Sequence, residues 1–420
     1  MKLSGPFEAK TVAAVCERIS SGGTPSRNHP EYFSSDSSGH LWVKSKELLD
    51  GAIRSTEERI TDDGLANSSA KYYPTNTVLV AMYGVNVGQL GWLRQPATVN
   101  QAICGLVVNP VVADFRYVFY TLMHTRRGLI SQAQGAAQQN LNQDNIRNYT
   151  IPVPKLPAQR KIAAILSAYD DLIENNERRI RVLEEMAQNL YREWFVKLRF
   201  PNHQKVKLVD SQAGKIPQGW STCKLSDLAV VNSRSISGGV EPEEILYIDI
   251  ASVTDGTVTG RRQLTFSDAP NRARRLVQHG DVIWSCVRPN RRSFALILNP
   301  EPNLVVSTGF AVISGTKAPF SYLYFALTTD DFVSYLTNHA TGAAYPAVTA
   351  KDFETATLLV PRTEVLDEFH DVVCPMLELC HRLGLRNSVL HQTRDLLLPR
   401  LISGELDVSQ LDIRLAENAT

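Results

Sequence analysis

Residues 135–154 read GAAQQNLNQDNIRNYTIPVP, and residues 342–361 read GAAYPAVTAKDFETATLLVP. The two stretches stand 207 residues apart. Gly135, Ala136, Ala137, Thr150, Val153 and Pro154 recur as Gly342, Ala343, Ala344, Thr357, Val360 and Pro361. Apolar character recurs at Leu141 and Val348, and at Ile146 and Phe353. The offset persists upstream, where Asn100-Gln101-Ala102-Ile103 faces Ser307-Thr308-Gly309-Phe310 and Tyr117 faces Tyr324. Val78-Leu79-Val80 resembles Val282-Ile283-Trp284 at an offset of 204, so a short insertion or deletion intervenes. An offset held this far along a chain marks a tandem repeat, each copy being one structural unit.

Each copy reads the same way. A variable, strand-rich region comes first, punctuated by Gly, Asn, Ser and Pro. The apolar runs at residues 77–81 and 281–286 predict buried strands. An aromatic helix is predicted near residues 115–125 and again near 320–329. A Gly-Ala-Ala turn, a strand ending in Val-Pro and a long helix follow.

The first long helix is expected to start near Pro157, a favoured first-turn residue, and to end near Phe195, with Pro201 beyond. Its seam is Ile162, Leu166, Tyr169, Ile173, Asn176, Ile180, Leu183, Ala187, Leu190 and Trp194. Steps of four and three alternate, which is the heptad pattern of a coiled coil. Moved by 207 residues, that seam becomes Phe369, Val373, Met376, Cys380, Leu383, Asn387, Leu390, Arg394, Leu397 and Leu401. An antiparallel register then sets Ile162 opposite Leu401, Tyr169 opposite Arg394, Asn176 opposite Asn387 and Trp194 opposite Phe369. A buried Asn pair is a register device. Pro375 removes one backbone hydrogen bond and is expected to kink or restart the second helix. Such a pair is roughly 50 Å long at 1.5 Å per residue. That suffices to hold two DNA modules on successive major-groove faces, about 34 Å apart. Intramolecular packing with no ruler role is the alternative.

The predicted fold class is therefore α+β. Two pseudo-repeated globular domains are each followed by a long helix, and the helices form an antiparallel coiled coil with pseudo-twofold symmetry. The predicted segments are 1–155 for the first domain, 156–200 for the central helix, 201–362 for the second domain, and 363–420 for the C-terminal helix and tail.

Hydrophobic residues make up 43% of the 420, enough for a core in each half. A net charge of +1 argues against a chain that coats nucleic acid indiscriminately. Local charge is another matter. Arg261, Arg262, Arg272, Arg274, Arg275, Arg288, Arg291 and Arg292 fall within 32 residues, opposed there only by Asp268 and Asp281. Guanidinium forks suit phosphates and guanine edges; a solvated face is the other reading. The six cysteines are scattered without a Cys-x-x-Cys pair, as expected of core thiols in a reducing cytoplasm. Residues 1–10 lack an apolar signal region, and no apolar run approaches the roughly 18 residues of a membrane span.

Catalytic motifs are missing. There is no Gly-x-x-x-x-Gly-Lys loop, no Gly-x-Gly-x-x-Gly turn, and no Asp/Asn-Pro-Pro-aromatic tetrad of the amino-methyltransferase kind. The one acidic-x-Lys triplet, Glu8-Ala9-Lys10, has no acid upstream to make a nuclease metal site. No His-x-x-x-His pair and no Gly-x-Ser-x-Gly elbow occurs. A binding chain without catalytic or metal-ligating residues is the expectation.

Several ordered motifs resemble a known family. They are Ser21-Gly22-Gly23-Thr24-Pro25-Ser26, Ser68-Ser69-Ala70-Lys71, Val78 to Val80, Asn100-Gln101, and the stretch from Gly135 to Leu166 with its Gln138-Gln139-Asn140-Leu141 and Ile151-Pro152-Val153-Pro154. Residues 396–406, LLLPRLISGEL, complete the series. Together they resemble the specificity subunits of type I restriction–modification systems. The family usually has Glu-Gln after the Pro of the first helix, where this chain has Ala158-Gln159, and Tyr345-Pro346-Ala347 stands where the first copy has Gln-Gln-Asn.

The resemblance implies a prokaryotic, cytoplasmic protein whose two variable domains each read one half of a bipartite site in double-stranded DNA. The helices would fix the spacer and dock two modification subunits, which bind S-adenosylmethionine and methylate adenine. Restriction subunits would add ATP-driven translocation and Mg-dependent cleavage. No cofactor would belong to this chain. Alternatives are the specificity subunit of a combined methylating-and-cleaving (type IIB-like) system, a coiled-coil scaffold without DNA specificity, and an enzyme in its own right.

DNA contacts are expected from Arg, Lys, small-residue amides and a few polar side chains. The candidates in the first domain are Ser21, Gly22, Thr24, Lys44, Lys46, Ser69, Lys71, Tyr83, Asn86, Gln138 and Gln139. Those in the second are Arg261, Arg262, Arg288, Asn290, Arg291, Arg292 and Tyr345. Each could instead be a turn or surface residue, and Gly22-Gly23 could be only a positive-φ turn. Arg178, Arg179 and Glu184, off the helix seam, are expected to face the modification subunits.

Overall fold

Alternation explains why a continuous apolar run makes a strand here. In Val78–Ala81, Val78 and Val80 enter one core while Leu79 and Ala81 enter another, because successive strand side chains point to opposite faces. Asp281–Ser285 repeats this, with Val282 and Trp284 on one side and Ile283 on the other. The computed structural model describes residues 7–413 apart from 35, 37, 134–139, 212–213 and 237–241. The Gly135-Ala136-Ala137 turn, Gln138 and Gln139 thus lie outside the described residues.

The chain divides into two compact units, Met1–Asn175 with Arg386–Thr420, and Asn176–Leu385. Each unit holds a sheet domain, the first half of the long helix that follows it, and the second half of the other long helix. The division falls inside the helices because their halves are buried in different cores. Ile162, Leu166, Leu398, Leu401 and Ile402 share one core, and Ala187, Tyr191, Trp194, Phe369, Val373 and Leu377 share another.

In the first unit, one sheet runs in the order Cys16–Ser21, Ile103–Val108, Val78–Ala81, Leu90–Leu93, Gly51–Ile53. A second five-stranded sheet contains the parallel pair His40–Val43 and Ala97–Val99. The helix Phe115–Ile130 covers the first sheet, its N-terminus capped by Asp114, which accepts from the amides of Arg116 at 3.0 Å and Tyr117 at 3.1 Å. Glu8–Thr11 pairs antiparallel with Thr150–Val153.

The second unit repeats this plan with two four-stranded sheets. One is wholly antiparallel and centred on Asp281–Ser285 and Phe310–Gly315. The other contains the parallel pair Glu244–Ile248 and Leu304–Ser307. Ser221–Lys224 pairs with Thr357–Val360 as Glu8–Thr11 does with its partner. The aromatic helix predicted near residues 320–329 is interrupted. Phe320–Ala326 ends, and Asp330–His339 begins with the Thr329 hydroxyl accepting from the Phe332 amide at 3.2 Å.

The long helices span Leu156–Tyr191, extended by a wide turn over Arg192–Val196, and Thr363–Ile402. The second helix runs unbroken through Pro375, so no restart occurs there. Buried Phe369, Val373 and Leu377 on either side hold the backbone helical against a cost of about 3 kcal/mol. Within each unit the two helical segments pack antiparallel. In the first, the Arg394 guanidinium meets Asp170 at 2.5 Å and the Asn387 amide donates to the Ile173 carbonyl at 3.4 Å. In the second, the Trp194 and Phe369 rings lie 5.7 Å apart and Cys380 Sγ donates to the Ile180 carbonyl at 3.8 Å.

Ile162, Leu166, Ile173, Asn176, Leu383, Asn387 and Leu401 are buried, and Tyr169, Ile180, Leu183, Leu190, Leu390, Arg394 and Leu397 are half-buried. Arg394, set opposite Tyr169 by the register, finds the carboxylate of the next residue, since a guanidinium shielded from water requires a counter-charge.

Candidate nucleic-acid interface

In the second unit, strands Asp281–Ser285 and Phe294–Ile297 are joined by the loop carrying Arg288, Asn290, Arg291 and Arg292. Arg288 and Arg292 both adopt left-handed backbone conformations, φ 52° and 55°. Such a backbone is strained for a bulky residue and persists only where neighbours hold it. Two sets of bonds do so here. The Arg288 amide donates to the Pro346 carbonyl at 2.7 Å and the Val348 amide to the Cys286 carbonyl at 2.8 Å, which zips this loop to the one carrying Tyr345. The Arg292 guanidinium joins Asp330 at 2.7 Å, Asp255 at 3.2 Å and the Thr328 carbonyl at 3.0 Å.

The predicted arginines therefore separate into two kinds. Arg261 is paired with Glu301 at 2.7 Å, Arg262 with Asp249 at 3.1 Å, and Arg292 with Asp255 and Asp330. The charge of these three is matched from within the domain. Arg288 and Arg291 are in no ion pair among the described residues, and neither is Arg272. The Arg288 guanidinium lies 4.7 Å from the centre of the Tyr345 ring and donates to the Ala344 carbonyl at 3.1 Å. Tyr345 is 70% exposed, and Asn290 and Arg291 are exposed.

Arg272, Arg288, Arg291 and Tyr345 line one open cleft of about 910 Å³, with Tyr247, Asp249 and Arg262 also in its wall. The Tyr247 hydroxyl is buried with no partner among the described residues. Arg272 and Tyr247 were not among the residues singled out by sequence. Arg272 was flagged only as one member of the arginine run, and nothing local distinguishes Tyr247 from other strand tyrosines.

In the first unit, Gly23 lies against Ser69, and Lys44 and Lys46 are paired with carboxylates. Ser21 Oγ accepts from Gln143 at 2.9 Å, and the Thr24 hydroxyl donates to Gln101. A Cβ on Gly22 would lie 1.9 Å from the Val99 carbonyl oxygen, and one on Gly23 would lie 2.4 Å from Ser69. Neither glycine has a positive φ. They are required by close backbone approach, and Gly22 is buried.

Lys44 bonds Glu57 at 3.0 Å and Glu58 at 3.1 Å, and Lys46 bonds Glu57 at 2.6 Å. Burial disfavours the Lys44 ammonium, but the two carboxylates outweigh it and raise its pKa. Lys71 and Ser69 are exposed. Tyr83 and Asn86 sit on the turn between Val78–Ala81 and Leu90–Leu93, beside the fully exposed Val85. This turn corresponds to the arginine loop of the second unit: its base is held by the Leu141 amide donating to the Met82 carbonyl at 2.7 Å, as the Val348 amide holds Cys286.

Arg178, Arg179 and Glu184 are exposed on the first long helix. Val182 and Met186, one turn apart beside them, are 47% and 50% exposed. Among the described residues no helix is long and apolar enough to cross a membrane, and no His, Cys, Asp and Glu cluster could hold a metal ion.

The type I restriction modification DNA specificity domain model matches residues 6–185. The chain is 24% identical over 423 residues to the type I restriction enzyme MjaIX specificity subunit of Methanocaldococcus jannaschii, covering 98% of this chain and 96% of the relative. It is 23% identical over 192 residues to the EcoR124I/EcoR124II specificity subunit of Escherichia coli, covering 44% of this chain and 46% of that one. Its fold is similar to that of the type I restriction–modification S subunit from M. genitalium, with a TM-score of 0.63 and 15% identity over 95% of this chain and 96% of that one. The matched domain and the relative aligned along nearly the whole chain make this chain similar to the specificity subunits of type I restriction–modification systems, and its fold is similar to that of one of them.

Proposed function

We propose that this chain reads a bipartite site in double-stranded DNA, one half with each sheet domain, and brings methyltransferase subunits to it. The observation that carries the reading is the cleft of the second domain, whose wall includes an exposed tyrosine and three arginines without carboxylate partners among the described residues. Guanidinium groups left unpaired in this way are suited to an anionic, base-bearing ligand. The corresponding loop of the first domain presents Tyr83, Val85 and Asn86, so the two domains are suited to different sequences.

Catalysis is assigned to partner subunits: S-adenosylmethionine to the modification subunits, ATP and Mg to the restriction subunits. The long helices are assigned the spacer role. Arg178, Arg179 and Glu184, with the exposed apolar pair Val182 and Met186, are assigned to a modification subunit. Two such subunits are expected, one for each repeat.

The test is methylome sequencing of a host carrying this chain with its neighbouring methyltransferase. A bipartite methylated motif that vanishes when this chain is omitted is the expected result. Methyl transfer or cleavage by the purified chain alone would overturn the assignment. Charge reversal at Arg178 and Arg179 is expected to weaken capture of the methyltransferase subunit; intact capture would remove them from that interface.

A further inference from the structure

We infer that Arg288, held beside the Tyr345 ring, reads one guanine in the half-site of the second domain; this rests on the DNA-reading function proposed above and adds a base and a residue to it.

Four observations lead there. The Arg288 guanidinium is 4.7 Å from the Tyr345 ring centre, and one of its nitrogens donates to the Ala344 carbonyl at 3.1 Å. The fork is thereby held by a ring and a carbonyl before any ligand arrives, with four of its five N–H donors left over among the described residues. Its backbone is locked as well, since the left-handed Arg288 amide donates to the Pro346 carbonyl at 2.7 Å. The charge faces a cleft and has no carboxylate partner among the described residues, unlike Arg262 and Arg292 close by. The buried Tyr247 hydroxyl, also in the wall of that cleft, has no partner among the described residues either. Buried polar groups are almost always satisfied, so an unmatched hydroxyl in a basic cleft marks a place for a polar ligand.

A preorganised fork is matched by the adjacent O6 and N7 acceptors of guanine in the major groove, the commonest specific arginine contact. A phosphate contact does not need this arrangement. Exposed Arg291, with no ring beneath it among the described residues, is suited to that role.

The experiment uses the full chain in complex with its methyltransferase subunits. The wild-type motif is first read by methylome sequencing. Binding is then measured by fluorescence anisotropy over a salt series, on the cognate site and on sites changed one base pair at a time. Arg288→Ala is expected to lose about 5- to 150-fold in affinity for the cognate site and to stop discriminating at one G·C pair only. Its salt slope should match that of wild type, whereas Arg291→Ala should lower the slope by about one. Arg288→Lys keeps the charge without the fork and should not restore discrimination. Tyr345→Leu alters only an exposed side chain and should relax the same position more weakly, so the inference stays testable if Arg288→Ala folds poorly.

Unchanged discrimination at every position, uniform weakening with a lower slope, or a second half-site without a G·C pair would each overturn the inference. A wild-type complex that yields no bipartite motif would instead remove the DNA-reading function itself.

Discussion

Replacing Arg394 by methionine tests the antiparallel packing of the helices at its most charged point. Arg394 reaches Asp170 at 2.5 Å, with side-chain exposures of 13% and 29%. Removing one partner of a buried pair strands the other charge and costs roughly 3–5 kcal/mol. Two features reduce that here. The pair is partly hydrated, and Tyr120 still donates to Asp170 at 2.5 Å. The expected loss is about 2–3 kcal/mol. A unit of this size shifts by about 2–4 °C per kcal/mol, so its unfolding midpoint should fall by about 4–12 °C. Differential scanning calorimetry of Arg394→Met, Asp170→Leu and the double variant gives the coupling energy. The double variant should be more stable than the sum of the single losses predicts, by at least about 1 kcal/mol, because the one carboxylate it leaves without its arginine, Asp395, is exposed to water. An Arg394→Met protein as stable as wild type, or strictly additive losses, would refute the pairing.

Three further outcomes are expected. Gly22→Ala places a Cβ 1.9 Å from the Val99 carbonyl oxygen and should cost about 3 kcal/mol or more, visible as a lower unfolding midpoint of the first unit. Burial pushes the thiols of Cys16 and Cys104 up to about 12, so at pH 8 roughly one in 10⁴ is thiolate, and both should resist iodoacetamide until the chain is unfolded. The Thr349 amide, donating to Asp352 at 2.7 Å, and the Thr349 hydroxyl hold the Asp352 carboxyl below its usual value of 3.8. The stability it contributes is complete above about pH 4 and is lost as pH falls through the lowered value, so denaturation curves of Asp352→Asn should be less acid-sensitive than those of wild type.

The repeat, the helical seams and the buried strands were legible because each is a local pattern. A period of 3.5 or 2 is written in neighbouring residues, and it reports burial whichever element provides the cover. The restart considered at Pro375 does not occur, because a propensity penalty of a few kcal/mol is outweighed when Phe369, Val373 and Leu377 are all buried around it. No local pattern records which core receives which half of a long helix, and that division appears only in the compact units.

The amino-acid sequence by itself determined that this protein is duplicated, that its long helices carry heptad seams, and that an arginine-rich stretch lies in the second copy. Only the tertiary structure decided which arginines are paired with a carboxylate. Arg261, Arg262 and Arg292 find their carboxylates 40, 13 and 37 residues away, at Glu301, Asp249 and Asp255. Arg288 finds a ring and a carbonyl instead. Charge composition is a property of the chain, but pairing acts through space over a few ångströms, and chain folding sets those distances.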